Sequence, residues 1–289
     1  MQTPTLDAAV FPAAEALERS AGRPDALLWL GTGIETLVGR IEDPRRRTLG
    51  EFAGVPAPWR AAELVGGKLE GVAVWLLADA PGPLEFGEES GGVPPWARAF
   101  PCWLARAAGA RVCLHTSSGV ALRGPEIEEP LPIGALAAVS DHLNLSGRTP
   151  LLGMGATRLG PLFPDQSRVH DQRLRASALR WAASAGVELH EAVAACTTGP
   201  TLDTQAELAW LARTGARIAV QQLAGPLVAC AHAGLSTLAL VALTDDGSRP
   251  LELARLVDRA ERAAPLVEDL VRGVMVEVAR VAARQRETS

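Results

Sequence analysis

Short, wholly apolar segments alternate along this chain with longer segments that end at a glycine. Ala26–Leu30 and Val72–Ala78 are two of the apolar segments, and their length and composition are typical of buried strands. Gly109, Gly186 and Gly215 follow three of the longer segments, a position where glycine commonly ends a helix. The alternation predicts an α/β fold with a mixed or parallel sheet between helices.

The other elements predicted from the pattern extend this alternation to the end of the chain. The further strands are Arg111–His115, Ala135–Ser140, Glu191–Thr197, Arg217–Gln221 and Thr237–Leu243. The helices are residues 1–20, Trp96–Ala108, Asp171–Ala185, Thr204–Thr214, a short one that ends at Gly234, and a C-terminal one. Ligands in such folds bind at the carboxyl ends of strands, so the loops there hold the candidate site residues.

Charge and hydropathy exclude several classes of protein. The chain has 28 basic and 33 acidic residues, a net charge of −5, which disfavours binding to a nucleic-acid backbone. The run Arg45–Arg47 is interpreted mainly as a solvated loop, with a local anion contact as the alternative. There is neither an apolar run long enough to span a membrane nor a signal-peptide pattern, so we expect a cytoplasmic protein without a membrane partner.

Cysteine and histidine spacing gives no metal-binding motif. The chain has four cysteines and five histidines, without a C-x-x-C pair or an H-E-x-x-H segment. Each cysteine lies among apolar residues, which favours a role as a small buried hydrophobic side chain over zinc or redox chemistry. No metal site is therefore predicted from sequence.

Two of the candidate loops are rich in glycine and hydroxyl groups. Gly31–Gly33 follows a predicted strand, and its backbone N–H groups and the Thr32 hydroxyl could contact an anion. Thr116–Gly119 follows another strand and offers hydroxyl groups to an anion or a sugar. For both segments an ordinary polar turn is the alternative.

Two other loops each present a carboxylate. Asp203 could accept hydrogen bonds from the N–H groups of a ligand, or it could serve helix entry beside Thr204, which begins a capping box with Glu207. Asp245 ends a predicted strand, where a ligand contact is common, but Asp245–Gly247 is also typical turn sequence. The sequence leaves these alternatives open.

These loops, taken in order, resemble the trimeric purine nucleoside phosphorylase family over about Ala26 to Asp246. The segments that carry the resemblance are Ser140–Leu145, Gly147–Gly153, Phe163–Ser167 with His170 and Asp171, Gly199–Glu207, Gly215-Ala216 and His232–Leu235. The resemblance implies one α/β domain over residues 1–289, with a mixed, partly barrel-like central sheet flanked by helices. It also implies a homotrimer that splits purine nucleosides with phosphate, giving a free base and a pentose 1-phosphate. Phosphate is then a co-substrate, and no cofactor is expected.

The resemblance assigns roles residue by residue. Thr32, Thr116 and Ser117 match the family's phosphate-binding positions. Asp203 matches a glutamate that hydrogen-bonds the base, and Asp245 matches an asparagine that contacts N7 and O6 of the purine and is the candidate catalytic residue. A carboxylate at position 245 accepts a hydrogen bond from a 6-amino group, so 6-aminopurines and 6-oxopurines both remain candidate bases.

One further position concerns the sugar and the subunit interface. Phe163 matches an aromatic residue that covers the sugar in the site of a neighbouring subunit. The resemblance therefore implies that each site is completed by a second copy of the chain.

The sequence departs from the family at the phosphate and sugar positions. The family's paired arginine and histidine have no counterpart in Asp79–Pro83, Gln222 replaces a phosphate-binding serine, Gln221 replaces a sugar-contacting methionine, and the chain has no tyrosine. Substitute cations could come from Arg45, Arg46, Arg47, Arg60 or Arg123. Three alternatives follow: a phosphorylase with an altered anion site, a catalytically silent relative that binds a nucleoside or another small ligand, and a nucleosidase that uses water.

Overall fold

A single mixed sheet organises the fold in the computed structural model, which describes residues 5–31, 35–78 and 93–287. Within these ranges the sheet has nine strands in the order β2-β3-β4-β1-β5-β8-β7-β6-β9. The strands are β1 Ala26–Leu30, β2 Glu42–Thr48, β3 Glu63–Leu69, β4 Val72–Ala78, β5 Val112–Ala121, β6 Leu136–Asn144, β7 Leu189–Thr197, β8 Ile218–Gln221 and β9 Ser236–Asp245.

A second pairing closes part of this sheet into a ring. β5 pairs in parallel with β9 as well as with β1, and antiparallel with β8. Among the described strands, β5, β8, β7, β6 and β9 therefore form a closed ring, and β1, β4, β3 and β2 extend from it as an open sheet. The expectation of a mixed, partly barrel-like sheet is confirmed.

Helices cover both faces of the sheet. The described helices are α1 Leu6–Ala21, α2 Phe100–Ala107, α3 Gln172–Ala185, α4 Gln205–Ala212, α5 Ala224–Ala233 and α6 Leu253–Glu287. One buried cluster joins α1, α2 and α5 to the sheet, and a second joins α3 and α6 to its other face. The strands between these layers are buried on both faces, as the wholly apolar β1 shows.

Several element boundaries differ from those predicted. The segment predicted as one helix over Trp96–Ala108 begins with a 3-10 turn, Pro95–Ala99, before α2. Thr116–Gly119 lies inside β5 and not in a turn after it, because β9 pairs with the strand along this stretch. Arg45–Arg47 lies in the edge strand β2 and not in a loop.

The cysteines and the helices show two further features of the described residues. All four cysteines are buried and unpaired, as their apolar surroundings predicted. None of the helices in these ranges combines the length and the apolar composition that crossing a bilayer requires.

Candidate active site

Two cavities adjoin at the carboxyl ends of β7 and β8. The first is bordered by Arg98 and Arg148, and we call it the arginine-lined cavity. The second is bordered mainly by aliphatic side chains, several of them from α6 and the loop before it, and we call it the apolar cavity. Gln221, the last residue of β8, lines both. A ligand with one anionic part and one flat, apolar part would fit across the two.

The cationic side chains of the arginine-lined cavity come from two loops. Arg98 lies in the turn Pro95–Ala99, and Arg148 lies in the loop after β6. The turn is fixed by a buried contact, since the Trp59 indole Nε1–H donates a 2.6 Å hydrogen bond to the Ala97 carbonyl. Arginine is well suited to hold a phosphate through paired N–H donors.

Buried polar atoms without partners cluster around the same cavity. Nε1 of Trp29, Nδ1 of His115 and Oγ1 of Thr197 are buried and make no hydrogen bond to any described residue, and all three residues line the cavity. The rings of Trp29 and His115 lie 5.2 Å apart. Buried polar groups are normally hydrogen-bonded, so this concentration indicates a place where a polar ligand supplies the partners.

Burial also fixes the charge state of His115. Desolvation lowers the pKa of its imidazole to about 4, against a smaller opposing effect of a backbone hydrogen bond at Thr116. The imidazole is therefore neutral near pH 7 and offers one N–H donor. It can serve as a hydrogen-bond donor in this cavity without adding a charge.

The three predicted phosphate-binding residues, Ser117, Thr116 and Thr32, differ in what the structure shows of them. Ser117 is half-buried and lines the arginine-lined cavity. The Thr116 hydroxyl points elsewhere: it accepts a 2.8 Å hydrogen bond from the Gly31 N–H and so anchors the residue that follows β1. A Cβ at Gly31 would lie 2.8 Å from the Thr116 carbonyl oxygen, so this close approach requires glycine. Thr32 lies outside the described residues, as does the Asp79–Pro83 segment.

Asp203 lies in the wall of the apolar cavity, directly before α4. Its carboxylate is half-buried, and burial and the nearby Glu207 carboxylate raise its pKa, while the side chains of Gln221 and Thr197 act in the opposite direction. Helix capping belongs to Thr204, whose hydroxyl accepts the Glu207 N–H at 3.2 Å and completes the predicted capping box. Thr204, and not Asp203, therefore caps the helix, and the Asp203 carboxylate remains available to a ligand.

Asp245 ends β9, as the sequence predicted, and its side chain points toward α6. Its buried carboxylate accepts hydrogen bonds from Arg255 and Arg259 of α6, at 2.9 and 3.0 Å, and from the backbone N–H groups of Asp246 and Gly247. The Asp245 carboxylate is therefore engaged in a turn and an ion-pair cluster, and its contact with the base stays a prediction; Thr244 beside it lines the apolar cavity. Through Arg255 and Arg259, Asp245 connects the end of β9 to α6, which forms part of the wall of the apolar cavity.

Phe163 lies on the surface, away from both cavities of this chain. Its side chain is 87% exposed, and it borders a shallow depression together with the exposed Leu152 and Leu162. An aromatic side chain this exposed, next to other apolar residues, is typical of a contact surface.

The cations of the site were not predicted from the sequence. Arg98 was assigned to a helix, and Arg148 lies in Gly147–Gly153, a segment that carries the resemblance but in which no residue was given a role. The five arginines suggested instead are not among the described residues that line the arginine-lined cavity. Arg46 pairs with Glu63, Arg123 with Asp246, and Arg60 donates to the Val55 carbonyl.

Comparison with known proteins shows the family of the chain. The phosphorylase superfamily model matches residues 39–275. Purine nucleoside phosphorylase 1 of Bacillus subtilis (strain 168) is 25% identical over 261 residues, covering 88% of this chain and 92% of that protein. The corresponding protein of Geobacillus stearothermophilus is 26% identical over 252 residues, covering 85% and 88%.

Solved structures show the same fold. Isoform 2 of the Schistosoma mansoni purine nucleoside phosphorylase, in complex with cytosine and ribose-1-phosphate, superposes with a TM-score of 0.79 at 21% identity, covering 94% of this chain and 97% of that one. The S. mansoni purine nucleoside phosphorylase in complex with adenosine has the same TM-score at 20% identity, covering 91% and 94%. The chain belongs to the phosphorylase superfamily, as a divergent relative of the purine nucleoside phosphorylases.

Proposed function

We propose that this protein cleaves purine nucleosides with phosphate, releasing a free base and a pentose 1-phosphate. The observation that carries the proposal is the pair of adjoining cavities that share Gln221, one cationic and rich in unpartnered polar atoms, the other apolar with one carboxylate. Relatives named purine nucleoside phosphorylase, matched over most of their length, support the same reaction.

In this proposal, phosphate occupies the arginine-lined cavity. Arg98 and Arg148 balance its charge, and Ser117, His115 and Trp29 supply neutral donors. Holding the anion beside the sugar replaces a bimolecular encounter by a positioned attack on C1 of the sugar. The glycosidic bond breaks as positive charge develops on the sugar, so an anion held nearby also stabilises the transition state.

The leaving base occupies the apolar cavity. Its flat faces contact aliphatic side chains such as Leu256 and Val257, while Asp203 accepts a hydrogen bond from a ring or exocyclic N–H. The Asp245 carboxylate, which could accept a hydrogen bond from a 6-amino group, is held by Arg255 and Arg259. The choice between 6-amino and 6-oxo bases therefore has to be measured.

The test is chromatographic detection of free base from 6-oxo and 6-amino purine nucleosides, with and without phosphate. The proposal predicts release only when phosphate is present. Release that is equally fast without phosphate would identify a nucleosidase. An absence of release across the panel, for folded protein, would identify a catalytically silent relative.

Replacing Asp203 by asparagine is expected to lower the activity without lowering the stability of the protein at pH 7. Asparagine keeps the shape but offers a base N–H a weaker acceptor, so kcat/KM for nucleoside should fall by about 10- to 150-fold, the range for losing one charged hydrogen bond. Because the pKa of Asp203 is raised in the folded state, its ionisation disfavours folding at neutral pH, and this penalty disappears as the pH falls below the ordinary aspartate pKa. The variant should therefore be as stable as wild type or more stable at pH 7, but not in acid.

Steady-state kinetics at pH 7 and thermal unfolding at several pH values check this prediction. Glu51→Gln is the control, because Glu51 is an exposed carboxylate on the 3-10 turn that follows the edge strand β2. A strong loss of stability at pH 7 in Asp203→Asn would contradict the assignment, since it would make Asp203 a structural residue.

We further propose that the active form is a homotrimer. The exposed Phe163, Leu162 and Leu152 support this, because burying them against another copy removes apolar surface from water. Wild type should then elute with three times the mass of the 30.3 kDa chain. Phe163→Ser should shift the protein toward the monomer or raise KM for nucleoside, and light scattering with kinetics measures both effects.

The matched control is Trp210→Ser, which removes an exposed aromatic side chain from α4 instead. It should leave mass and KM unchanged. A wild-type monomer at micromolar concentration, with full activity, would contradict the trimer proposal.

A further inference from the structure

A cluster of three potential metal ligands lies outside the two cavities. Asp141 and His142 belong to β6, and His170 directly precedes Asp171, the N-cap of α3. Nδ1 of His142 lies 3.1 Å from Nε2 of His170, and one ligand atom from each of the three residues lies within 4.8 Å of the others. Twenty-eight residues separate the two histidines, so their spacing in the sequence did not indicate a shared site.

Backbone hydrogen bonds fix the positions of these side chains. The Thr237 N–H donates to the Val169 carbonyl and the Asp171 N–H donates to the Thr237 carbonyl, both at 3.0 Å, so His170 is held against β9. One Asp141 oxygen accepts the backbone N–H of His142 at 2.8 Å. The ligand set is therefore largely preorganised, which lowers the entropy lost on binding an ion.

The charges around the cluster suit a cation. Asp141 supplies a negative charge. Arg175, the cation beside His170, forms an ion pair with Glu191, which reduces its repulsion of a bound ion.

Two buried polar atoms beside the cluster have no partner among the described residues. They are Nδ1 of His170 and Oε1 of Gln166, and Gln166 lines a depression together with Asp141 and His142. A metal on Nε2 makes Nδ1 of His170 a hydrogen-bond donor, for which metal sites commonly supply a carboxylate, a backbone carbonyl or water. Both atoms are unpartnered polar groups next to the cluster.

We propose that Asp141, His142 and His170 bind one divalent transition-metal ion, Zn²⁺ by the chemistry of its ligands. Two imidazole nitrogens and a carboxylate are a common zinc ligand set, and ligands at about 2.0–2.1 Å with nitrogens 3.1 Å apart subtend an angle of about 100°, near the tetrahedral value. Asp141 is exposed, so a fourth position is open to water. The ion would join β6 to the start of α3.

The test is equilibrium dialysis of untagged, metal-free protein against ZnCl₂, with CoCl₂ as a spectroscopic probe. We expect one Zn²⁺ per chain and visible Co²⁺ absorption of the intensity typical of four-coordinate sites. His170→Gln and His142→Gln should each weaken Zn²⁺ binding by about 100-fold or more, since loss of a ligand exceeds loss of an outer-shell partner. His190→Gln, which changes a histidine paired with Glu188, should bind as wild type does.

Asp141→Asn tests the site in a variant that is expected to fold normally, because the Asp141 side chain is exposed and asparagine has nearly the same shape. It should unfold like wild type and still bind Zn²⁺ more weakly. Stoichiometric binding that is unchanged in Asp141→Asn and His170→Gln would overturn the proposal. An absence of saturable binding would overturn it too and would identify the His142–His170 contact as a plain hydrogen bond. None of these measurements depends on nucleoside cleavage.

Discussion

Replacing Arg98 and Arg148 together by glutamine is expected to lower kcat/KM for phosphate by about 10²- to 10⁴-fold. Each arginine would lose a charged hydrogen bond to phosphate, worth about 1.5–3 kcal/mol, or about 10- to 150-fold in rate. The effect should appear in the dependence of rate on phosphate and far less in binding of the free base. Initial rates at varied phosphate, and base binding by calorimetry, measure the two separately.

Arg46→Gln is the matched control for this experiment. Arg46 belongs to the basic run that sequence reasoning offered as a substitute cation, and in the structure it pairs with Glu63 on the sheet edge. Its replacement should leave the phosphate dependence unchanged. The account would be contradicted if Arg46→Gln impaired phosphate use while the double variant retained it.

Replacing Asp245 by asparagine should destabilise the protein by about 3 kcal/mol, because breaking one side of a buried ion pair leaves the other side uncompensated. The carboxylate is 2% exposed, and Arg255 and Arg259 are 16% and 23% exposed, so water compensates little of the loss. For a chain of this size the melting temperature should fall by roughly 5–10 °C. Denaturant and thermal unfolding measure the change.

Asp258→Asn provides the comparison for Asp245. Asp258 pairs with Arg262 on the exposed face of α6, where an ion pair contributes about 0–1 kcal/mol. It should melt close to wild type. If Asp245→Asn also melted like wild type but lost base release, Asp245 would be the base ligand that the resemblance implied, and the ion-pair assignment would fail.

The elements that the sequence predicted well are those with a strong local cause. β1 and β4 are wholly apolar segments, and their predicted bounds agree with the structure. The start of α4 was predicted by its capping box, which the structure forms. Such segments can be recognised from their own residues, because burial on two faces and helix capping both restrict which residue types occur there.

The elements that the sequence missed depend on distant partners. β2 has a charged edge sequence, Glu42–Thr48, and pairs only with β3 among the described strands, so neither alternation nor an apolar run marks it. The polar residues Thr116–Ser118 are typical of a turn, yet β9 pairs with them throughout. Pairing across more than a hundred residues overrides local preference there.

The site residues, too, differ in whether their positions could be predicted from nearby sequence or depend on distant parts of the chain. The resemblance named Asp203 and Ser117, and both line the cavities because β5 and the loop before α4 carry them there. Asp245 was placed correctly in the chain, but the orientation of its side chain depends on Arg255 and Arg259, which no motif linked to it. Arg98 and His115 enter the site only through tertiary packing, so a single sequence could not identify them.

The most direct test of the proposed reaction is ³¹P NMR of the protein with a purine nucleoside and inorganic phosphate. The account predicts that the phosphate signal falls in step with release of the base, and that an equal amount of a pentose 1-phosphate appears. Base release with an unchanged phosphate signal would contradict it and identify hydrolysis. No change in either signal, with folded protein and a nucleoside panel covering both base types, would contradict phosphorolysis altogether.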